Sequence, residues 1–333
     1  MYELFRESGN KLICLLCPHL CKLGKGKTGI CGARRSNGVD IELLTYGIIS
    51  GMALDPIEKK PLYHFYPGTN ILSVGSYGCN MRCDFCQNYH ISQNILNDSA
   101  KKTTPQELLF RSQHSTNNIG IAFTYNEPAI WFEYIRDVAL LFRNEGKKCV
   151  MVTNGYISPE PLALYLEFID AFNVDLKAFR NDFYKKLTGA ELEPVKKVLK
   201  KISMSGNHLE ITTLVIPGLN DTAEEMEQQC KWISEEIGSN VPLHLSRYFP
   251  MYKRDNPPTT LEKLSELYKI ASSYLNYVYI GNSTDSEAQD TICPECTNLI
   301  TSRRGYVIEH SGTADGKCSV CGNLIYKYFT SSF

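Results

Sequence analysis

Short apolar runs separated by amphipathic stretches organise the middle of this 333-residue chain. The runs Ile71 to Tyr77, Ile119 to Thr124, Cys149 to Thr153, Phe172 to Leu176, Leu209 to Ile216, Val241 to Ser246 and Val278 to Ile280 read as buried strands, being short and bounded by turn residues. Helix starts lie between them. Thr104-Pro105-Gln106-Glu107 offers a cap, a proline at the first helical position and a glutamate that can reach back to the cap. Thr222 with Glu225, and Thr259 with Glu262, repeat that capping pattern. After Pro128, the residues Ile130, Trp131, Tyr134, Ile135, Val138, Leu141 and Phe142 recur at helical spacing, and Gly146 follows as a stop. Alternating strands and helices imply parallel strands joined by right-handed crossovers, hence a doubly wound sheet or a barrel. The polar and glycine-rich oddities fall just after strands, where the active face of a barrel lies. The expectation is therefore an α/β fold, a partial (β/α)6 parallel TIM-like barrel.

Charge and cysteine usage narrow the picture. A formal net charge of -1 gives no basic field, so a nucleic-acid binder is not expected. No stretch approaches the apolar run that spans a bilayer, and the first residues lack a basic flank followed by an apolar core, so a cytoplasmic, unprocessed protein is expected. Of the 13 cysteines, all but Cys149 and Cys230 fall into three tight groups, a pattern that favours metal over disulfide. Cys149 sits in an apolar run and Cys230 in a helical pattern, so both read as core fillers. The groups divide the chain into a cysteine-rich module at residues 1–45, the partial barrel at 46–289 and a third module at 290–333.

The richest chemistry lies in Gly78-Cys79-Asn80-Met81-Arg82-Cys83-Asp84-Phe85-Cys86-Gln87-Asn88. Cys79, Cys83 and Cys86 can give three thiolates to a four-iron, four-sulfur cube and leave one iron without a cysteine, open to a chelating cofactor. An incomplete zinc site is the plainer alternative. With Phe85 just before the last cysteine, the segment resembles the signature of the radical S-adenosylmethionine (SAM) superfamily, in which the free iron binds SAM and reduces it.

SAM carries an amino group, a carboxylate and ribose hydroxyls. Glu127 can accept from the amino group, Lys177 can meet the carboxylate, and Asp175 or Asn154 can bind hydroxyls, although Asp175 and Lys177 alone could be a solvated ion pair. Further motifs sharpen the resemblance. Thr124-Tyr125-Asn126-Glu127-Pro128 stands where related enzymes carry a glycine-glycine-glutamate motif, and Asp175-Leu176-Lys177 looks like the Asp-Leu-Lys of glycyl-radical-enzyme activases. Val215-Ile216-Pro217-Gly218 resembles a strand-end motif beside the SAM adenine, and His244 is similar to a histidine of the later strands. With Cys17-Pro18-His19-Leu20-Cys21, the ensemble resembles the radical SAM enzymes of the AmmeMemoRadiSam system, related to pyruvate formate-lyase activases. One departure is Val152 where those activases often have aspartate, which counts against simple glycyl-radical activation.

The resemblance implies reductive cleavage of SAM at a 4Fe-4S cluster, release of methionine and a 5'-deoxyadenosyl radical, and hydrogen-atom abstraction from a substrate. It also implies ferredoxin or flavodoxin as electron donor and association with Memo-like and AMMECR-like proteins. A glycyl-radical-enzyme activase is the second enzymatic reading. A multi-metal binding protein or electron carrier is the reading of another class, to be separated by iron, sulfide and zinc analysis.

The flanking groups ask for metal on their own. Cys293-x-x-Cys296 and Cys318-x-x-Cys321 are paired knuckles of the zinc-ribbon or rubredoxin-like type, with structural zinc expected. Cys14, Cys17, Cys21 and Cys31 form a second set of four thiolates, and their unequal spacing permits zinc or a second iron-sulfur cluster. His19 is expected to make a local hydrogen bond. Gly24-x-Gly26-x-x-Gly29 matches a dinucleotide fingerprint, but without a preceding strand it suits a metal-binding turn better.

Overall fold

The structure, a computed structural model, describes residues 4–93, 102–283 and 288–330. Five short strands open the chain: β1 (Phe5–Ser8), β2 (Lys11–Cys14) and β3 (Lys22–Leu23) form one antiparallel sheet, and β4 (Arg34–Ser36) pairs with β5 (Ile41–Leu43). The central sheet follows as β6 (Gly51–Pro56), β7 (Asn70–Gly75), β8 (Asn118–Phe123), β9 (Lys148–Thr153), β10 (Ala171–Asp175), β11 (His208–Val215), β12 (Leu243–Arg247) and β13 (Val278–Gly281), side by side in chain order. β6 runs antiparallel to β7, and every later pair is parallel.

The seven apolar runs of the sequence thus form seven parallel strands, β7 to β12 each followed by a helix and β13 closing the series, and the antiparallel edge strand β6 is an addition to them. β6 and β13 lie at opposite ends of the strand order, so the sheet is open. β6 escaped the apolar-run reading because it is an edge: only Asp55 of its residues is buried, and Pro56 closes it where no ladder donor is needed. The strands β7 to β12 carry the near-continuous apolar content of a parallel sheet covered by helices.

Helix starts follow the local chemistry. Thr104 caps helix Pro105–Gln113 with a complete capping box, and Thr222 caps helix Ala223–Glu236 through the Glu225 amide. The third start is one residue later than the motif suggests. Thr260 caps helix Leu261–Ser272, while fully buried Thr259 accepts from the Tyr248 amide (3.0 Å) and donates to the Val215 carbonyl (2.6 Å). The stretch after Pro128 forms helix Phe132–Asn144, which buries Phe132, Tyr134, Ile135, Val138, Ala139 and Phe142 on one face. Cys149 and Cys230 are fully buried among apolar neighbours.

The N-terminal strands share the main core, since Leu12, Leu16, Leu23 and Ile41 belong to the same apolar cluster as the sheet and its helices. Buried Arg34 reinforces that junction with a two-pronged ion pair to Glu133 at 2.6 and 2.7 Å. At the other end, β14 (Thr291–Ile292), β15 (Leu299–Arg304) and β16 (Val307–Glu309) make an antiparallel sheet against the foot of the central one. Tyr63, Tyr277, Tyr279 and Tyr326 fill that junction, and buried Arg303 donates to the Tyr63 carbonyl (3.1 Å) and the Thr291 hydroxyl (2.7 Å). Among the described residues no helix is long and apolar enough to cross a membrane.

Candidate active site

A cavity of about 560 Å³ opens at the carboxyl ends of the parallel strands. Asp55 of β6 and Ser246 of β12 line it together, so strands far apart in the sheet order face one space and the sheet curls around it. Its size lies in the range of cofactor and substrate sites. Cys79, Cys83, Cys86, Phe85, Glu127, Asn154, Asp175 and Lys177 all line it.

The cysteine loop leaves β7 and is tied down at several points. Asn126 accepts from the Ser76 amide (2.9 Å) and donates to the Gly78 carbonyl (3.0 Å), fastening the loop to the segment after β8. Asn88 donates to the Tyr125 carbonyl (2.7 Å), and Asp84 pairs with Arg254 at 2.6 Å. These bonds hold the three thiols with little help from regular secondary structure.

The sulfurs meet donors. The Met81 amide lies 3.3 Å and the Asn154 Nδ2 3.6 Å from Cys79 Sγ, and Ser92 Oγ is 3.2 Å from Cys86 Sγ. Burial pushes the Cys79 thiol well up and the Cys83 thiol up to about 12, with Lys177 pulling Cys83 the other way. A free thiolate in such a wall is costly. Coordination to iron removes that cost by deprotonating the thiol outright, so the donor set fits a thiolate-held cluster. No other cysteine lines this cavity, which leaves a three-thiol set.

Glu127 is 2 % exposed and is held by the Ala129 amide (2.9 Å), the Thr153 hydroxyl (2.6 Å) and the Asn154 amide (2.8 Å). Burial raises its carboxyl to about 7, against the pull of those bonds. An ionised carboxylate offers about four acceptor positions, so Oε2 retains one for a further donor in the cavity. Across the cavity, Lys177 Nζ meets Asp175 at 2.9 Å; burial disfavours its charge, but Asp175 and Cys83 prevail and hold the ammonium above its usual range. Asn173, Asp175 and Lys177 recur every second residue, which puts all three on the cavity side of β10 and its extension.

His244 lies elsewhere, correcting the expectation that it touches the cofactor. It stands near the start of β12, at the foot of the sheet, where its Nε2 is 2.6 Å from buried Glu210. Glu210 also accepts from the Tyr63 and His64 amides at 3.0 and 2.7 Å and approaches His208 at 2.9 Å, a buried polar plug in register with the cavity-lining Asn173 and Thr212 but not itself lining the cavity. Asp55, Lys60, Asn173 and Thr212 were missed as cavity residues. The period-two polar pattern of β10 was the signal for Asn173, whereas Asp55 and Lys60 come from an edge strand and a 3-10 turn that carry none.

The flanking cysteines differ in geometry. The sulfurs of Cys293, Cys296, Cys318 and Cys321 all lie within 4.8 Å of one another, with Cys293 to Cys321 and Cys296 to Cys318 both at 3.5 Å, a set that could hold a single ion. Cys14, Cys17, Cys21 and Cys31 line a separate small pocket beside the cysteine loop. His19 serves as a link there, with its Nε2 2.7 Å from the Asn80 carbonyl.

A curled, mostly parallel α/β sheet whose strand ends present three thiols and a ring of polar groups defines a cluster-dependent enzyme of the cofactor-at-strand-ends type. Residues 73–232 match the Radical SAM superfamily model, and the chain belongs to that superfamily as a radical SAM enzyme using SAM and an iron-sulfur cluster. It is 39% identical over 324 residues to an uncharacterized protein of Methanocaldococcus jannaschii, covering 95% of each chain. A putative glycyl-radical enzyme activating enzyme of the same organism is 28% identical over 218 residues, 62% of this chain and 79% of the relative. The fold is similar to a radical SAM methyltransferase from Sphaerobacter thermophilus, with a TM-score of 0.51 at 15% identity over 71% of each chain. Activase relatives of this kind imply a reductant as electron donor.

Proposed function

We propose that the chain cleaves SAM reductively at a 4Fe-4S cluster held by Cys79, Cys83 and Cys86 and uses the resulting carbon radical to take a hydrogen atom from a substrate seated in the same cavity. The observation that carries this reading is the convergence of the three thiols with Glu127, Asn154, Asp175 and Lys177 on one cavity of about 560 Å³. When bound, the cluster and SAM supply the electron transfer and the radical.

The chain's own residues do the rest. The Met81 amide and Asn154 orient Cys79, and buried Phe85 walls the site against solvent. Glu127 presents its remaining acceptor position to the SAM amino group, Lys177 attracts the carboxylate, and Asn154 and Asp175 take hydroxyls. No side chain has to act as acid or base in hydrogen-atom abstraction, and the walls exclude competing hydrogen donors.

The electron donor is read as ferredoxin or flavodoxin, and the setting as the cytoplasm. The motif resemblance to the AmmeMemoRadiSam system supports Memo-like and AMMECR-like partners in a shared pathway. Installation of a glycyl radical in a partner protein is the second reading, favoured by the likeness to a putative glycyl-radical activating enzyme and opposed by Val152. At the C-terminal quartet the proposed ion is zinc in a ribbon, because four mutually close sulfurs match tetrahedral thiolate coordination.

The test is anaerobic reconstitution with iron and sulfide, followed by reduction in the presence of SAM. The wild-type chain is expected to release 5'-deoxyadenosine and methionine, and Cys83→Ala is expected to release neither. Fully loaded protein that leaves SAM intact would overturn the reading.

A further inference from the structure

The pocket beside the cysteine loop brings together Cys14 at the end of β2, Cys17, Cys21 just before β3, and Cys31. Three observations point to what it holds. The first is the spread of its sulfurs. A tetrahedral zinc at about 2.3 Å from each thiolate draws the sulfurs to about 3.8 Å from one another, as the C-terminal quartet is drawn. Among the described residues, that quartet is the group with mutual separations within 4.8 Å; the N-terminal set and the Cys79, Cys83, Cys86 set both fall outside it. In neither of these two sets are the sulfurs drawn together as they are in the C-terminal quartet. The N-terminal four line a pocket with about 10 Å³ of open space.

The second observation is an unpartnered donor. Arg34 lines the same pocket and is 2% exposed, with both terminal nitrogens bound to Glu133 and Nε without any partner. A buried N–H left unpaired is unfavourable, so this nitrogen calls for an acceptor, and a guanidinium calls for an anionic one. Such donors around thiolates are a means by which proteins tune cluster potentials.

The third is position. The Cys31 carbonyl packs so closely on Gly78 that a Cβ there would lie 2.3 Å from it, and Gly78 immediately precedes Cys79. His19 meets the Asn80 carbonyl at 2.7 Å, and the Arg82 guanidinium donates to the Ile30 carbonyl. The two cysteine loops are in direct contact.

We propose that Cys14, Cys17, Cys21 and Cys31 hold a second 4Fe-4S cluster that relays single electrons to the cluster at Cys79, Cys83 and Cys86 through the contacts of Cys31 with Gly78 and His19 with Asn80. The proposal rests on the assignment of the first cluster to the triad. One electron from a low-potential one-electron carrier protein reduces the second cluster. That cluster is reoxidised as the same electron reduces the first, and no bond or proton changes place.

The experiment is metal and sulfide analysis with Mössbauer and EPR spectroscopy on the full anaerobically reconstituted chain. About eight irons and one zinc are expected in the wild type. The double variant Cys17→Ser/Cys21→Ser is expected to keep about four irons whose reduced EPR signal still shifts on addition of SAM. A triple Cys79→Ser/Cys83→Ser/Cys86→Ser variant is expected to keep the other four and lose that shift. His19→Phe leaves all the thiols in place and is expected to slow reduction of the first cluster by a protein donor about tenfold or more. Wild-type protein with about four irons and two zincs overturns the proposal and needs no variant to fold. Unchanged reduction in His19→Phe removes the His19 contact from the relay. A triple variant that loses no iron overturns the first-cluster assignment instead.

Discussion

At the scale of single residues, the cavity depends on side chains that hold other side chains. Asn154 donates to Cys79 Sγ and to Asn80 Oδ1, and its own amide supports Glu127. Asn154→Ala is expected to reduce the rate of SAM cleavage by about 10–100-fold, measured as 5'-deoxyadenosine formed per reconstituted iron. An unchanged rate would remove Asn154 from the machinery. Gly78 has a different duty: its φ of +89° and the Cys31 carbonyl at 2.3 Å from a notional Cβ each forbid a side chain. Gly78→Ala should lower unfolding stability by about 2 kcal/mol or more, read from the urea midpoint of the apoprotein. The cysteine spacing was legible because ligands within one loop are close whatever the rest of the chain does. The role of His244 was not legible, since a histidine in an apolar strand looks the same at the head of a sheet as at its foot.

At the scale of elements, caps and loop stitches part company at two adjacent threonines. Thr260 only caps its helix, so Thr260→Ala is expected to cost about 1 kcal/mol. Thr259 joins the loop after β12 to the end of β11 through two buried bonds, and Thr259→Ala leaves the Tyr248 amide unpaired at a cost of about 1–3 kcal/mol. Calorimetry of the two variants should rank Thr259→Ala as the worse, and the reverse order would restore the cap that the sequence motif suggests. The parallel strands were readable from apolar runs, because strands buried on both faces, by helices outside and by the interior of the curled sheet within, are largely apolar. β6 was not, because an edge strand owes its structure to β7 rather than to its own composition.

At the scale of the whole molecule, the two ends are joined to the central sheet by different physics. The C-terminal strands rest on the foot of the sheet through buried polar groups. His64 lies 3.2 Å from the Ile325 carbonyl and 2.6 Å from the Tyr279 hydroxyl, and burial drops its imidazole from the ordinary 6.5 to about 3. The unfolded chain therefore binds a proton between those values that the folded chain refuses. Its contribution is complete above pH 6.5 and is lost as pH falls toward 3. Burial also presses the Glu210 carboxyl upward, but its hydrogen bonds to His208 and His244 prevail and hold it below the usual range, so its contribution too disappears on acidification. The melting temperature should decline below pH 6.5, and His64→Gln at equal metal loading should make that decline shallower, with His310, also lowered by burial, supplying the remainder. Identical profiles would rule out His64 as the titrating group. Removing metal with a strong chelator is expected to unfold β14 to β16 while leaving β7 to β12 protected, as judged by hydrogen exchange. Uniform protection would mean the quartet is dispensable.

The sequence by itself determined what depends on near neighbours: the apolar runs, the capping boxes, and the spacing that lets Cys79, Cys83 and Cys86 share one loop. Only the tertiary structure decided what depends on distant partners. It placed Asp55 and Lys60 in the cavity, His244 beside Glu210, Arg34 between Glu133 and four thiols, and Cys31 against Gly78. The physical reason is that periodicity and spacing act along the chain. Burial, charge pairing and coordination act through space, and become defined when the sheet curls and its far edges face one another.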